Sequence, residues 1–166
     1  MALNDGLAWP IPGADYVTKA FLGGTADKKL LSAGMKLCKF TDQRTIINPK
    51  TGNASPWWFA TDAFGEFDLG LEAVLKFAAA NGVSSTEYAR LIAAVTEEWN
   101  KMDVIMHARL KANVNGFWGQ CAMQSKKEGS KVNLTGRGWQ FYIPGLTDEH
   151  IEQLGPPVPA PAAPKK

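Results

Sequence analysis

Apolar and polar residues alternate along Met35-Lys36-Leu37-Cys38-Lys39-Phe40, the period of a half-buried strand. The alternation puts Met35, Leu37 and Lys39 on one face and Lys36, Cys38 and Phe40 on the other. A second run, Gly138-Trp139-Gln140-Phe141-Tyr142-Ile143, is aromatic and β-branched and is the best strand candidate in the chain. Between the two, the period lengthens. One helix is predicted from about Asp68 to Ala80, stopped by Asn81-Gly82 through a left-handed cap. A second opens at Ser84 with Glu87 three residues on, a capping box that satisfies two backbone donors reciprocally. Tyr88, Leu91, Ile92, Val95, Trp99, Met102, Met106 and Leu110 then recur at helical spacing, which extends this helix to about Lys111 with one apolar stripe.

The flanking segments are shorter. Residues 1–14, with Trp9-Pro10-Ile11-Pro12-Gly13, read as an irregular lead-in. A short helix is expected over Ala14–Leu22 before Gly23-Gly24, and another turn or two over Lys28–Ala33. Asn48-Pro49-Lys50-Thr51-Gly52-Asn53 is a loop by its turn chemistry. Val114 to Met123 reads as a strand with glycine kinks, followed by a Lys/Gly/Ser loop and the short run Val132-Asn133-Leu134. Thr147-Asp148-Glu149 suggests a short helix reaching Leu154. The expected fold class is α+β: a single domain over residues 1–154 with a largely antiparallel sheet packed against two central helices. Residues 155–166 are expected to be a Pro/Ala-rich disordered tail.

Composition narrows the function. The 166 residues are 45% hydrophobic and 20% charged with a net charge of +2, the profile of an ordinary globular chain. No basic stripe exists; the densest run, Lys126 to Lys131, is interrupted by Glu128. Nucleic acid is therefore not an expected partner. No 18-residue apolar stretch could span a membrane. Lacking a basic region followed by an apolar run at its start, the chain is expected to be cytoplasmic when synthesised, with export by a route that needs no cleaved signal left open. Cys38 and Cys121 sit in apolar segments without metal-ligand spacing, which points to buried free thiols. His107 and His150 are the only histidines and form no metal-binding pair, so no metal site is expected.

Two constellations remain. On the long second helix, Thr96, Asn100, Asp103 and His107 fall four, three and four apart. They form a polar flank on which Asp103 could fix the His107 tautomer; a hydrogen-bonded network docking the helix is the simpler reading. The other is aromatic. Ser55-Pro56-Trp57-Trp58-Phe59 follows the Gly/Asn/Pro turn, and adjacent rings on an extended segment leave on opposite faces. One of them must line a groove, cover a second layer or meet a partner. Six tryptophans suit a recognition surface around Trp57, Trp58 and Trp139.

Leu37-Cys38-Lys39-Phe40, Ser55-Pro56-Trp57-Trp58 and Trp139-Gln140-Phe141-Tyr142 occur in the order strand, post-turn segment, late strand. In this order the chain resembles bacterial ADP-ribosyltransferase-like toxin domains, whose split sheet grips nicotinamide dinucleotide (NAD). The resemblance implies Gln140 and Ser55 as catalytic residues and Lys39, Trp57 and Trp58 as the NAD-binding set. Lys39 stands where that family has arginine, and lysine lacks the bidentate fork. Tyr142 stands where a glutamate is expected, leaving Glu66, Asp62 or Asp103 as substitute acids. The competing expectation, and the preferred one, is a small bacterial protein-interaction module or effector-type domain with an aromatic-lined face and another protein as partner.

Overall fold

The computed structural model describes residues 1–93, 101–125, 133–134 and 136–165. A short helix, α1 (Asp15–Lys19), and a 3-10 turn at Leu22–Gly24 precede β1 (Asp27–Leu31), β2 (Lys36–Thr41) and β3 (Trp57–Ala60). Two helices follow, α2 (Gly70–Ala80) and α3 (Ser85–Ala93), and then β4 (Val104–Leu110), β5 (Val114–Gln120), β6 (Gln124–Ser125), β7 (Asn133–Leu134), β8 (Trp139–Tyr142), β9 (Ile151–Gln153) and β10 (Val158–Pro159). Among the described residues, eight strands make one antiparallel sheet in the order β1-β5-β8-β3-β2-β4-β10, with β9 also on β4; β6 and β7 pair separately. The α+β expectation holds.

One sheet face carries a continuous core that includes Leu31, Leu37, Trp58, Met106, Trp118 and Phe141. The opposite face is divided. Val17 and Phe21, from α1 and its exit, cover Phe117 and Tyr142, while α2 and α3 cover Cys38, Phe40 and Ile105. The facing of β2 is thus as its alternation predicts. Residue for residue, the α3 capping box is also there: Glu87 N donates to Ser84 Oγ (3.1 Å) and Ser84 N to Glu87 Oε2 (3.4 Å).

Three segments differ from expectation. The second helix ends its described course at Ala93, and residues 104–110 are strand β4 instead of its last turns. Central between β2 on one side and β9 and β10 on the other, β4 is buried along Val104, Met106, Ala108 and Leu110, while its other face runs from buried Ile105 to exposed Arg109. Met106 and Leu110, four apart, share a face in a strand as they would in a helix, so their spacing does not separate the two. Asp103 and His107 are therefore not one helical turn apart: Asp103 pairs with Arg44 (3.5 Å) and His107 opposes Cys38 across the sheet. Thr96 and Asn100, their proposed neighbours, lie outside the described residues. Residues 27–31 form edge strand β1 rather than helix; Lys28 and Leu30 fall on an uncovered face while Leu31 enters the core. After Thr147, whose backbone N–H donates to His150 Nδ1 (3.0 Å), the chain turns and enters β9 instead of continuing as helix.

The proline-rich tail is placed as well. Val158 and Pro159 oppose Ile105 and Val104, and Ala160 N donates to Asp103 O (3.0 Å). Both the backbone N–H and the hydroxyl of Ser85 donate to Pro161 O (3.0 and 2.9 Å), so the tail anchors the start of α3. Removing residues 156–165 would strand the buried Ser85 hydroxyl. Unfolding in urea should then show a loss of about 2–3 kcal/mol, from the three lost hydrogen bonds of Ser85 and Ala160 and the unpaired donor.

Candidate functional site

Strand β3 changes partner halfway along. Trp57 and Trp58 oppose Tyr142 and Phe141 of β8, whereas Phe59 and Ala60 oppose Cys38 and Leu37 of β2. Past Trp58, then, β3 and β8 part, and Trp139 and Gln140 are left paired only with Gln120 and Gly119 of β5. At this parting lies a cleft of about 330 Å³, lined by Phe40, Phe59 and Ala60 of the sheet, residues 67–71, α2, Tyr88 and Ile92 of α3, and the turn 136–139. Side chains from both sheet faces contribute, as a gap through a sheet requires.

A tight loop builds one wall. Phe64 N donates to Asp68 O (2.8 Å) and Leu71 N to Thr61 O (3.0 Å). Gly70, at φ +82°, could not be replaced, since a Cβ there would sit 2.6 Å from Thr61 O; only glycine combines that φ with so close an approach. The loop turns Asp68 inward, where Gly70 N donates to Oδ1 (3.1 Å) and Trp118 Nε1 to Oδ2 (3.5 Å). Phe67 and Leu69 are turned outward, 66% and 59% exposed. Phe67 lies nearly parallel to Trp139 (13°, 6.4 Å between ring centres), and Trp139 stacks on Trp118 (16°, 4.2 Å). At the far end of this ladder the Lys29 ammonium sits 5.6 Å from the Trp118 ring centre, within cation–π range.

The opposite rim is Gly136-Arg137-Gly138. Arg137 holds φ +70°, a left-handed conformation that non-glycine residues rarely adopt. Its turn is fixed by Gly136 N to Leu91 O (3.0 Å), Gly138 N to Ile92 O (2.9 Å), Arg137 N to Cys121 O (2.8 Å) and Gln120 Nε2 to Arg137 O (3.1 Å). A Cβ on Gly136 would lie 2.6 Å from Cys121 O. Such surroundings hold a strained residue in place, and the Arg137 side chain is exposed at the cleft.

The residues singled out from sequence fall into two groups. Lys39, Trp58 and Ser55 meet: the Lys39 ammonium lies 5.3 Å from the Trp58 ring centre, and Trp58 Nε1 donates to Ser55 O (2.7 Å). Burial pulls Lys39 down to about 8, against the opposing pull of Asp42. Ser55 Oγ accepts from Trp57 N (3.3 Å) and Ser55 lines a separate polar hollow of about 340 Å³ within the loop 43–55. Trp57 and Gln140 lie on the other sheet face. Trp57 packs on Tyr142 (4.7 Å) and Phe21 (5.9 Å), and Gln140 donates from Nε2 to Ala20 O (3.2 Å). Trp58 is sealed in the core at 2% exposure. None of these five lines the aromatic cleft, whereas Trp139 does. Sequence reasoning missed Phe67, Asp68 and Arg137; the one signal for them was glycine spacing, at Gly65 and Gly70 and at Gly136 and Gly138.

Both cysteines are free and buried. Burial pushes the Cys38 thiol up to about 12 and Cys121 higher still, so neither is a nucleophile at neutral pH. Among the described residues no group of three His, Cys, Asp or Glu could hold a metal, and no helix is long and apolar enough to cross a membrane.

Burial raises the pKa of Asp68 above 3.8, against the lowering pull of its Gly70 and Trp118 donors. An acid whose folded pKa is raised binds its proton more tightly in the folded state, so its contribution is greatest below the unfolded value. That contribution falls as pH climbs from 3.8 through the raised value. Asp68→Asn keeps one acceptor and removes this penalty. Its stability relative to the parent chain should therefore improve as pH rises over that window, as urea titrations at pH 3.5 and 7 would record; an unchanged difference would remove Asp68 as a desolvated acid.

Two solved structures are similar to this chain. One is Rhs1-CT in complex with its cognate immunity protein RhsI1, 16% identical over 81% of each chain with a TM-score of 0.49. The other is Tne2 in complex with Tni2, 14% identical over 86% of this chain and 99% of that one, with a TM-score of 0.46. Likeness at this level assigns the chain neither family nor activity. No family model and no curated protein matches it.

Proposed function

We propose that this chain is a protein-interaction module of effector type, and that its working face is the aromatic cleft where β3 parts from β8. One observation carries the reading: Phe67, Leu69 and Phe77 stand 66%, 59% and 47% exposed around a single concavity. Exposed apolar side chains clustered at a cleft mark interaction sites, whereas scattered ones do not. The floor is rigid, because Trp139 is stacked on Trp118 and the Gly70 loop is pinned at both ends, so little is lost in ordering the site on binding. The acid of the cleft, Asp68, accepts through both oxygens from Gly70 and Trp118, an arrangement that suits a structural role better than a general base held ready for a substrate. Copurification with a tagged chain, read by mass spectrometry, identifies the partner. Phe67→Ala and Trp139→Ala, each checked for folding by circular dichroism, should weaken that complex about tenfold or more, as central aromatic anchors do. Equal recovery with both variants would sink the assignment.

A second reading is favoured by the parted sheet itself: NAD held by an ADP-ribosyltransferase-like domain, with Gln140 and Ser55 in catalysis and Lys39, Trp57 and Trp58 in binding. Near-parallel Phe67 and Trp139 rings also suit a flat heterocycle. Against it, Lys39 and Gln140 project from opposite sheet faces. Titrating NAD to millimolar while following tryptophan emission tests it. A change in emission with nicotinamide release that disappears in Gln140→Ala and Ser55→Ala would establish the enzyme; a flat titration removes it.

A further inference from the structure

Three side chains lining the cleft carry hydrogen-bond donors with no acceptor among the described residues: the Arg137 guanidinium, the Trp139 indole N–H and the Tyr88 hydroxyl. The acid of the same cleft, Asp68, is already engaged through both oxygens by Gly70 and Trp118. The concavity is therefore rich in donors and short of acceptors. Its one cation among the described residues is presented on a turn fixed by four hydrogen bonds at a left-handed residue.

We infer that the occupant of this cleft is a carboxylate-bearing segment of the partner protein. An Asp or Glu pairs with Arg137, and the apolar residue beside it lies against Phe67 and Trp139. The inference rests on the protein-interaction reading above and adds the partner's chemistry to it. Two physical points select it. A guanidinium covered by a partner must be met by an anion, because removing it from water unpaired is costly. A planar carboxylate matches its fork bidentately. The exposed rings Phe67 and Phe77 need an apolar neighbour on the same segment, which a free inorganic anion does not supply.

Two tetrapeptides make the test, acetyl-Asp-Phe-Glu-Leu-amide and its isostere acetyl-Asn-Phe-Gln-Leu-amide. Each is titrated into the nitrogen-15-labelled chain while the Arg137 Nε–H and Trp139 Nε1–H signals are followed. The acidic peptide should shift both signals and bind about tenfold tighter than the amide, the worth of one charge-assisted contact. Arg137→Gln should abolish the preference, the acidic peptide losing more affinity than the amide. Arg137→Gly, which relieves the left-handed backbone and removes the same charge, should behave alike and so separates lost charge from lost folding. Phe67→Ala should weaken both peptides. Equal affinity for the two peptides overturns the inference and leaves the interaction surface standing. No response to either peptide overturns both. Shifts produced by pyrophosphate and not by the acidic peptide overturn it in favour of a phosphate ligand.

Discussion

The molecule is organised around the obligation of four residues, Trp57 to Ala60, to satisfy their backbone groups with two different neighbours. Buried strand N–H and C=O groups must be paired, and β3 does so by serving β8 with its first half and β2 with its second. Right-handed twist accumulates between adjacent strands, so a strand shared in this way leaves its neighbours free to diverge where it leaves them. The opening between β8 and the end of β3 is the direct result. Trp58 holds the handover from inside: its ring is in the core and its N–H is bound to Ser55 O. Were Trp58 to move, both pairings would lose their register and the cleft its two walls.

Glycine does at the rim what the indole does in the core. Gly70 lets the chain pass against Thr61 O, and Gly65 lets it pass under Trp118, where a Cβ would lie 2.8 Å from the ring. Those two close approaches put Phe67 and Leu69 outside and Asp68 inside. On the other rim Gly136 and Gly138 pack against Cys121, Ala122 and Ile92, and the one residue between them that has a side chain is left to face the opening. The aromatic ladder from Trp118 through Trp139 to Phe67 bridges the two rims, so the concavity is held by stacking as well as by backbone.

Patterns confined to one element were legible in the sequence. The alternation at 35–40 gave β2 and its facing, Ser84 and Glu87 fixed the start of α3, and the 138–143 run is β8. The helix expected to reach Lys111 failed because Met106 and Leu110, four apart, share one face of strand β4 just as they would share one face of a helix. The pairing of Val158 and Pro159 with β4 was not legible, for a related reason. Prolines argue against a central strand, yet Pro159 costs nothing at an edge where only two residue pairs form. The cleft was least legible, because Phe67 is brought to Arg137 and Trp139 from about 70 positions away in the chain. Adjacent indoles drew attention to Trp57-Trp58, and the prediction that they leave on opposite faces is right. It is their success in filling two cores that takes them away from the cleft.

That outcome bears on how a ring-rich chain of this size distributes its aromatics. Trp58, Phe117 and Phe141 are fully buried and carry the apolar burial that holds the sheet together, worth about 2–3 kcal/mol for each such side chain. Phe67 adds little of that, being two-thirds exposed where it lies nearly parallel to Trp139. An exposed ring on a loop stiffened by Gly70 is poorly explained by stability, because loop residues are free to be polar. The same holds for Arg137, since a glycine would fit its backbone better and no side-chain partner among the described residues compensates for the strain. Two unfavourable choices on facing rims of one concavity are what a surface shaped for a partner looks like before the partner arrives.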